Sequence, residues 1–488
     1  MIMVRYAEAA GRWVLLATVL GSGLTFLDAT VVNIALPRIG EEFGAGAAAL
    51  QWTVNGYTLS LAALILLGGS LGDRFGRRRV FVVGVAWFAA ASLLCGLAPN
   101  VQTLIAARVL QGVGGALLTP GSLAILEASF ESDDRARAIG AWSGLAGVAG
   151  AVGPFLGGWL VEVATWRLVF LINVPLAALA VHVALRHVPE SSNPAAARGF
   201  DAGGLLTGAA GLAGLTYGFT AWAADGPGSP AVLTALAVGA ASIAAFIAIE
   251  HRSSHPMLPL DLFRIRPFTA ANLVTFAVYA ALGGVFFLVV LNLQVVSGFS
   301  PLTAGTALLP VTALMLALSA RAGALGQRIG PRIPMTAGPL VCAVALLLLS
   351  RIGAGAGYLA DVLPGAVLLG LGLSLTVAPL TATALGSVPE RHAGIASGVN
   401  NAVARAAGLL AVAILPLAAG IGAGSLTDAG DLAPVYRDAM RICAGLLVAG
   451  AAAAALWVPR RVTRPEPIPV HCGVTGPPPR RLAEQSPR

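Results

Sequence analysis

The chain has 488 residues, of which 57% are hydrophobic and only 11% charged, and its mean hydropathy is +0.83. A soluble domain carries about 25% charged residues, so this chain has too little polar surface to cover itself in water and reads as an all-α polytopic membrane protein. The formal charge of +8 does not point to nucleic acid, because the arginines fall in short segments between apolar runs.

A transmembrane helix needs about 20 mostly apolar residues. In chain order, such runs fall near 13–35, 50–71, 80–98, 103–126, 137–160, 167–186, 203–223, 231–250, 269–295, 303–322, 334–350, 359–386, 394–420 and 438–458. The reading is therefore fourteen transmembrane helices, an even number that puts both termini on one side. Arg38, Arg167, Arg351, Arg437 and Arg441 fall on one side and most other arginines on the side of the termini. The bias of basic loops toward the cytoplasm makes both ends cytoplasmic. The long first run lacks a small-residue cleavage site and reads as a span, not a cleaved leader. Cys95, Cys342, Cys443 and Cys472 have no metal-ligand spacing and read as packing residues.

Between the second and third runs stands Gly69-Ser-Leu-Gly-Asp73-Arg74-Phe-Gly76-Arg77-Arg78-Arg79. Glycines let two helix ends approach and turn sharply, while the acid and the arginines supply charges that need partners. A worn copy, Gly323-Ala-Leu-Gly-Gln327-Arg328-Ile-Gly330-Pro-Arg332, follows about 254 residues later without the acid. Gly112-x-Gly114…Pro120 is echoed by Gly370-x-Gly372…Pro379, and Arg135-x-x-Ala138-Ile139 by Arg391-x-x-Gly394-Ile395. These landmarks predict two six-helix halves. The organisation is a short N-terminal segment (1–12), an N-terminal bundle (13–186), a linker with two accessory spans (187–267), a C-terminal bundle (268–459) and a Pro- and Arg-rich tail (460–488) that reads as disordered.

Ionisable groups inside spans are functional candidates by default. Asp28 lies in the first run and shares a helical face with Gly21 and Thr25. Burial favours its protonated form; the alternative is an acid satisfied by hydroxyls or an arginine. In the fourth run Arg108, Gln111, Gly112, Gly115 and Thr119 form one stripe. Arg108 could pair with Asp28 and bind or release a proton as the pair changes, or could serve backbone carbonyls. Gly153-Pro154-x-x-Gly157-Gly158 in the fifth run reads either as a hinge or as close helix packing. Trp166 and Arg167 suit a membrane-interface belt. Thr25, Asn33, Trp52, Tyr57, Gln111, Asn292, Gln294, Asn400, Asn401 and Arg405 are candidates to line a substrate path, and amides of this kind also bond across helices. No Walker loop, His or Cys cluster or nucleophile motif is present. The expectation is a protein that is not an enzyme, with no cofactor, no metal and no nucleic-acid partner.

The turn at 69–79, Asp28 within Leu27–Pro37, Arg108–Gly115, Gly153-Pro154-x-x-Gly157-Gly158, Trp166–Pro175 and Gly298-x-Ser300-Pro-Leu-x-Ala304-Gly305 together resemble the major facilitator superfamily. Within it they resemble the fourteen-span drug:proton antiporters of the EmrB/QacA type, over roughly residues 10–460. The resemblance implies the major facilitator fold, with two six-helix bundles plus two extra central spans, in the cell membrane and working as a monomer. It implies export of a lipophilic organic compound in exchange for protons. Asp28 and Arg108 would be the proton-coupling pair. The loop motif Gly69, Asp73, Arg74, Gly76, Arg77 and Arg78 would stabilise one state by contacts between bundles, and the Gly-Pro motif would be the antiporter hinge. The acids that some relatives carry in the C-terminal half are missing, which favours a neutral or monocationic substrate. The alternatives are a proton-coupled importer of a nutrient, or a receptor on the same fold that does not transport.

Overall fold

The computed structural model describes residues 4–192, 201–253, 256, 258–388, 393–420 and 426–460. Arg391, Cys472 and the tail from 461 onward lie outside these residues. Long apolar runs become helices because a chain in lipid must satisfy its own backbone polar groups. In chain order these are α1 (Ala9–Phe43), α2 (Ala47–Phe75), α3 (Arg77–Gly96), α4 (Val101–Ser129), α5 (Ser132–Val163), α6 (Leu168–Leu171), α7 (Asn173–His187), α8 (Ala202–Asp225) and α9 (Pro230–Arg252). They continue with α10 (Arg266–Val295), α11 (Pro301–Thr306), α12 (Leu309–Ile329), α13 (Arg332–Leu349), α14 (Leu363–Gly386), α15 (Ala393–Ala418) and α16 (Ala429–Trp457). Short polar residues start several of them: Asn100 accepts from the Thr103 amide at α4, and Asp201 from the Gly204 amide at α8.

Among the described residues, eleven helical segments are long and apolar enough to cross a membrane, or twelve if α2, bent by 50° around residue 66, counts as one. The sequence reading expects fourteen. The two it adds are α5, whose apolar stretch Val148–Val163 is shorter than a span, and α8, whose many glycines lower its hydropathy.

The helices pack in a recurring pattern. In the first part α4 packs on α2 and α3, and α7 packs on α1 and α3. In the last part α14 packs on α12 and α13, and α16 packs on α10 and α13. The turn glycines repeat as well: Gly76 at φ 108° and Gly330 at φ 88° both occupy backbone space that residues with a Cβ rarely enter. α8 and α9 pair with each other, and α8 touches α2 and α15.

Small residues set the close crossings. A Cβ on Gly114 would sit 2.6 Å from the Phe88 backbone nitrogen, and one on Gly372 would sit 2.8 Å from that of Cys342. The repeated glycines are therefore where α4 meets α3 and where α14 meets α13. Gly114→Val is expected to cost about 1–3 kcal/mol or more from overpacking. Thermal unfolding in detergent reads this as a lower midpoint; an unchanged midpoint would contradict the close α3–α4 contact.

The two parts meet tightly at one end. There Gln51 of α2 donates to the Val412 carbonyl of α15 (2.8 Å), Gln294 of α10 donates to that of Ile34 (3.1 Å), and the Leu302 amide donates to Glu162 (3.1 Å). A Cβ on Gly158 of α5 would lie 2.7 Å from Leu302 Cα, so α5 and α11 touch backbone to backbone. The opposite end carries the 69–79 turn and three sets of ion pairs, Arg5–Glu131, Asp73–Arg77 and Glu190 with Arg78 and Arg79.

Candidate functional site

Five helices bring a polar cluster into the interior of the first half. Asp28 lies mid-way along α1, and Arg108 and Gln111, one helical turn apart on α4, face it. Asp28 is 0% and Arg108 1% exposed. Arg108 Nη1 donates to Asp28 Oδ2 and to Gln111 Oε1, both at 2.6 Å, and Arg108 Nε donates to the Thr53 carbonyl of α2 at 2.9 Å. Asp28 Oδ1 accepts from Gln111 Nε2 at 2.8 Å and from Asn173 Nδ2 of α7 at 3.2 Å. Ser92 of α3 accepts from the same two amides at 2.7 and 3.1 Å. The Tyr57 ring lies 4.4 Å from the guanidinium carbon and the Phe170 ring 5.7 Å away.

Every hydrogen bond that Asp28 accepts is made to a carboxylate. A buried charge persists only when it is paired and hydrogen-bonded, and this arrangement supplies both. The pair therefore joins α1 to α4 in this conformation, with α2, α3 and α7 holding its other contacts. Cys95 lies beside it, 3.6 Å from Gln111 Oε1. Ser92, Asn173 and the Thr53 carbonyl are absent from the candidates read off the sequence. Asn173 sits within the Trp166–Pro175 stretch, which was the available signal, but its side chain points to the core rather than to the span's end.

In the 69–79 turn, Arg77 bridges Asp73 (2.8 Å) and the Ala124 carbonyl of α4 (3.2 Å). Glu190, beyond α7, accepts from the Arg78 and Arg79 amides at 3.0 and 3.2 Å and so caps the exposed start of α3. A Cβ on Gly76 would fall 2.8 Å from the Glu190 carboxylate, which adds to the demand for glycine there. Arg78 also reaches the Val188 carbonyl at 3.1 Å, while Arg74 lies over the Phe75 ring. Gly69 packs near Pro120, 3.6 Å from its added Cβ. These contacts tie α2, α3, α4 and α7 together within the first half; among the described residues they do not reach the other half in this conformation.

The Gly-Pro run sits at two crossings. Gly153 and Gly157 pack on Thr30 and Val31 of α1, Gly158 packs on α11, and Gly305 approaches the Pro154 carbonyl. α5 remains one helix through Pro154. Close packing is thus visible at each of these residues.

The expected substrate-path residues have different partners. Tyr57 and Gln111 belong to the ion-pair cluster. Asn292 donates to the Ile352 carbonyl in the connection after α13, while Gln294 donates to that of Ile34 and Asn400 to Thr275 and Asn272, so the last two tie helices together. Asn401 bonds its own helix at Ser397, and Thr25 at Ser22. Trp52 faces Tyr217 of α8, with ring centroids 6.2 Å apart. Asn33 Oδ1 and Arg405 Nε are buried without partners. Arg405 has Tyr57 and Tyr279 as electrostatic neighbours. Trp166 is only 3% exposed and donates to Glu42 at 2.6 Å, and Arg167 reaches the same carboxylate at 2.6 Å. Trp166 and Arg167, just before α6, thus clamp that turn to Glu42 at the end of α1.

These features define a polytopic helical protein built on a repeated packing unit, with one half carrying a fully buried acid–arginine pair. Residues 18–412 match the Major Facilitator Superfamily, and the chain belongs to that transporter family. It is 39% identical over 389 residues to the multidrug resistance protein Stp of Mycobacterium tuberculosis, covering 80% of this chain and 72% of that one. It is 37% identical over 402 residues to the tetracenomycin C resistance and export protein of Streptomyces glaucescens, covering 82% and 74%. With the multidrug efflux pump LfrA of Mycolicibacterium smegmatis it shares 37% over 391 residues, covering 80% and 77%. The fold is similar to that of an inward-facing, unoccupied bacterial homologue of the lysosomal transporter Spinster, with a TM-score of 0.65, 19% identity and coverage of 92% and 97%. It also resembles the POT family transporter PepTSo, with a TM-score of 0.68, 16% identity and coverage of 91% and 97%.

Proposed function

We propose that the chain is a proton-coupled exporter of a lipophilic organic compound, in the class of drugs, antibiotics and secondary metabolites. The observation that carries the reading is the buried Asp28–Arg108 pair linking α1 to α4, in a chain whose relatives are named for resistance and export. Asp28 is the proton carrier. When it takes a proton it loses its charge and with it most of its attraction for Arg108, so the α1–α4 link weakens. Arg108 stays charged throughout and pairs with Asp28 again once the proton has left.

In this reading the chain has fourteen spans. α6 with α7, and α11 with α12, each make one; α5 and α8 complete the set. The organisation is six helices, an accessory pair, then six more, with both termini and the 69–79 turn cytoplasmic. On this reading the seam through α5, α11 and Gln51 is the closed outer side, which supports an inward-facing state in an alternating-access cycle. The 69–79 turn, tied to Glu190 here, is free to meet the other half only after the inner side closes. Gly153, Pro154, Gly157 and Gly158 form the surface over which α5 moves against α1 and α11.

The test is accumulation of a panel of lipophilic dyes and antibiotics in cells expressing the protein. Lower accumulation that a protonophore restores is the expected result. Higher accumulation would favour the importer, and no change for any compound would favour the receptor.

A further inference from the structure

The second copy of the 69–79 turn, Gly323–Arg332, has no role in the transport scheme, and it differs from the first copy in charge. In the first half Val188 ends α7 in extended backbone (φ −87°, ψ 122°) and delivers Glu190 to Gly76. In the second half Val458 ends α16 in nearly the same way (φ −79°, ψ 127°). Arg460 follows, and its carbonyl oxygen is what a Cβ on Gly330 would strike. Val188-Pro189-Glu190 and Val458-Pro459-Arg460 therefore occupy the same place in the repeat, with the charge reversed. Gln327 likewise stands where the first copy has Asp73.

The result is unbalanced positive charge. Asp73 and Glu190 hold Arg77, Arg78 and Arg79. Among the described residues, the side chains of Arg328, Arg332 and Arg460 have neither an ion pair nor a hydrogen bond. The tail does not redress this, since residues 461–488 hold five arginines against two glutamates. Arg332 and Arg460 both line an open groove of about 690 Å³ between α13 and the end of α16. The rest of it is mostly apolar: Ile333, Ala337 and Leu340 form one stripe on α13, with Ala455 of α16 beside it. Ile333 is 57% and Leu340 42% exposed, so the stripe faces outward. α11 and α12 make one membrane-length segment, Pro301–Ile329, that runs from the tight seam to this turn. The arginines thus stand at the membrane surface, and Leu340 lies about 12 Å deeper along α13.

We propose that this groove binds one phospholipid with a net negative headgroup. Its phosphate sits between Arg332 and Arg460, and an acyl chain follows Ile333, Ala337 and Leu340. The lipid supplies the negative charge that Glu190 supplies in the first half. A zwitterionic lipid brings its own cation to the two guanidiniums, and a soluble anion leaves the apolar stripe uncovered. The basic tail is repelled by the same arginines. The site does not depend on what the protein transports.

Native mass spectrometry of the full chain in detergent tests this, with phosphatidylglycerol, phosphatidylcholine or inorganic phosphate added. One phosphatidylglycerol per chain is expected, held where phosphatidylcholine is not and not displaced by inorganic phosphate. Arg332→Gln with Arg460→Gln should weaken it roughly 10–30-fold, as two surface charges are lost. Arg12→Gln, which removes an exposed arginine at the same end, should leave it unchanged. Arg460→Glu gives the second half the charge that the first half already accommodates at Glu190. It should therefore fold and lose the lipid, which keeps the test open if the double variant does not fold. Phosphatidylglycerol that binds no better than phosphatidylcholine, that inorganic phosphate displaces, or that Arg460→Glu retains would overturn the proposal. So would an equal loss in Arg12→Gln, or binding that appears only when residues 461–488 are removed.

Discussion

Asp28→Asn abolishes gradient-driven efflux while the protein still reaches the membrane in normal amount. Asparagine keeps the size of the side chain and offers Arg108 a carbonyl oxygen, but it cannot take or lose a proton. Its amide nitrogen is a donor where Asp28 Oδ1 now accepts from Gln111 and Asn173, so some loss of stability accompanies the change. Binding of substrate need not suffer, because Asp28 is buried among protein groups. The expected pattern is therefore retained binding, retained exchange of substrate down its own gradient, and no response of transport to a pH gradient. Uptake into inverted vesicles measures it. A variant that still concentrates substrate when a proton gradient is imposed would remove Asp28 from the coupling role.

Arg108→Ala destabilises the protein strongly. Arg108 holds Asp28, Gln111 and the Thr53 carbonyl at once. Its loss leaves the Asp28 charge buried without a counter-ion and Oδ2 without its donor, while Gln111 and Asn173 still serve Oδ1. Breaking a buried pair on one side costs about 3–5 kcal/mol, so the thermal midpoint in detergent and the yield of folded protein should both fall. The double variant Asp28→Asn with Arg108→Ala removes the stranded charge. It should recover part of that loss, and a double-mutant cycle gives the coupling directly. Equal midpoints for wild type and Arg108→Ala would contradict the geometry described for the pair. A double variant whose loss equals the sum of the two single losses would mean that the two residues do not act on each other.

Much of the fold was legible from the sequence because apolar run length is a local property. Each of the fourteen runs overlaps a helix, and the errors lie at the ends, where helices such as α1 extend well past the apolar stretch through Pro37 to Phe43. Asp28 and Arg108 stood out because charged residues are rare inside such runs. Their surroundings were harder to foresee. Ser92 and Asn173 carry no charge and sit on helices whose crossing angle decides whether they reach Asp28. Glu190 lies in a connecting segment, and only the return of the chain after α7 brings it to the start of α3. The partners of the aromatic residues were hidden in the same way: Trp52 turns to α8 and Trp166 to Glu42, since periodicity tells which residues share a face but not what that face meets.

The central claim is that substrate leaves as protons enter through Asp28. It is tested most directly in proteoliposomes holding a pH-sensitive dye, with an exported compound from the accumulation panel added outside and a proton gradient imposed, acid inside. The account predicts that wild-type protein takes up the compound together with a rise in internal pH beyond the leak. It also predicts that Asp28→Asn shows neither. Uptake with no movement of protons, or proton movement that persists in Asp28→Asn, would contradict it.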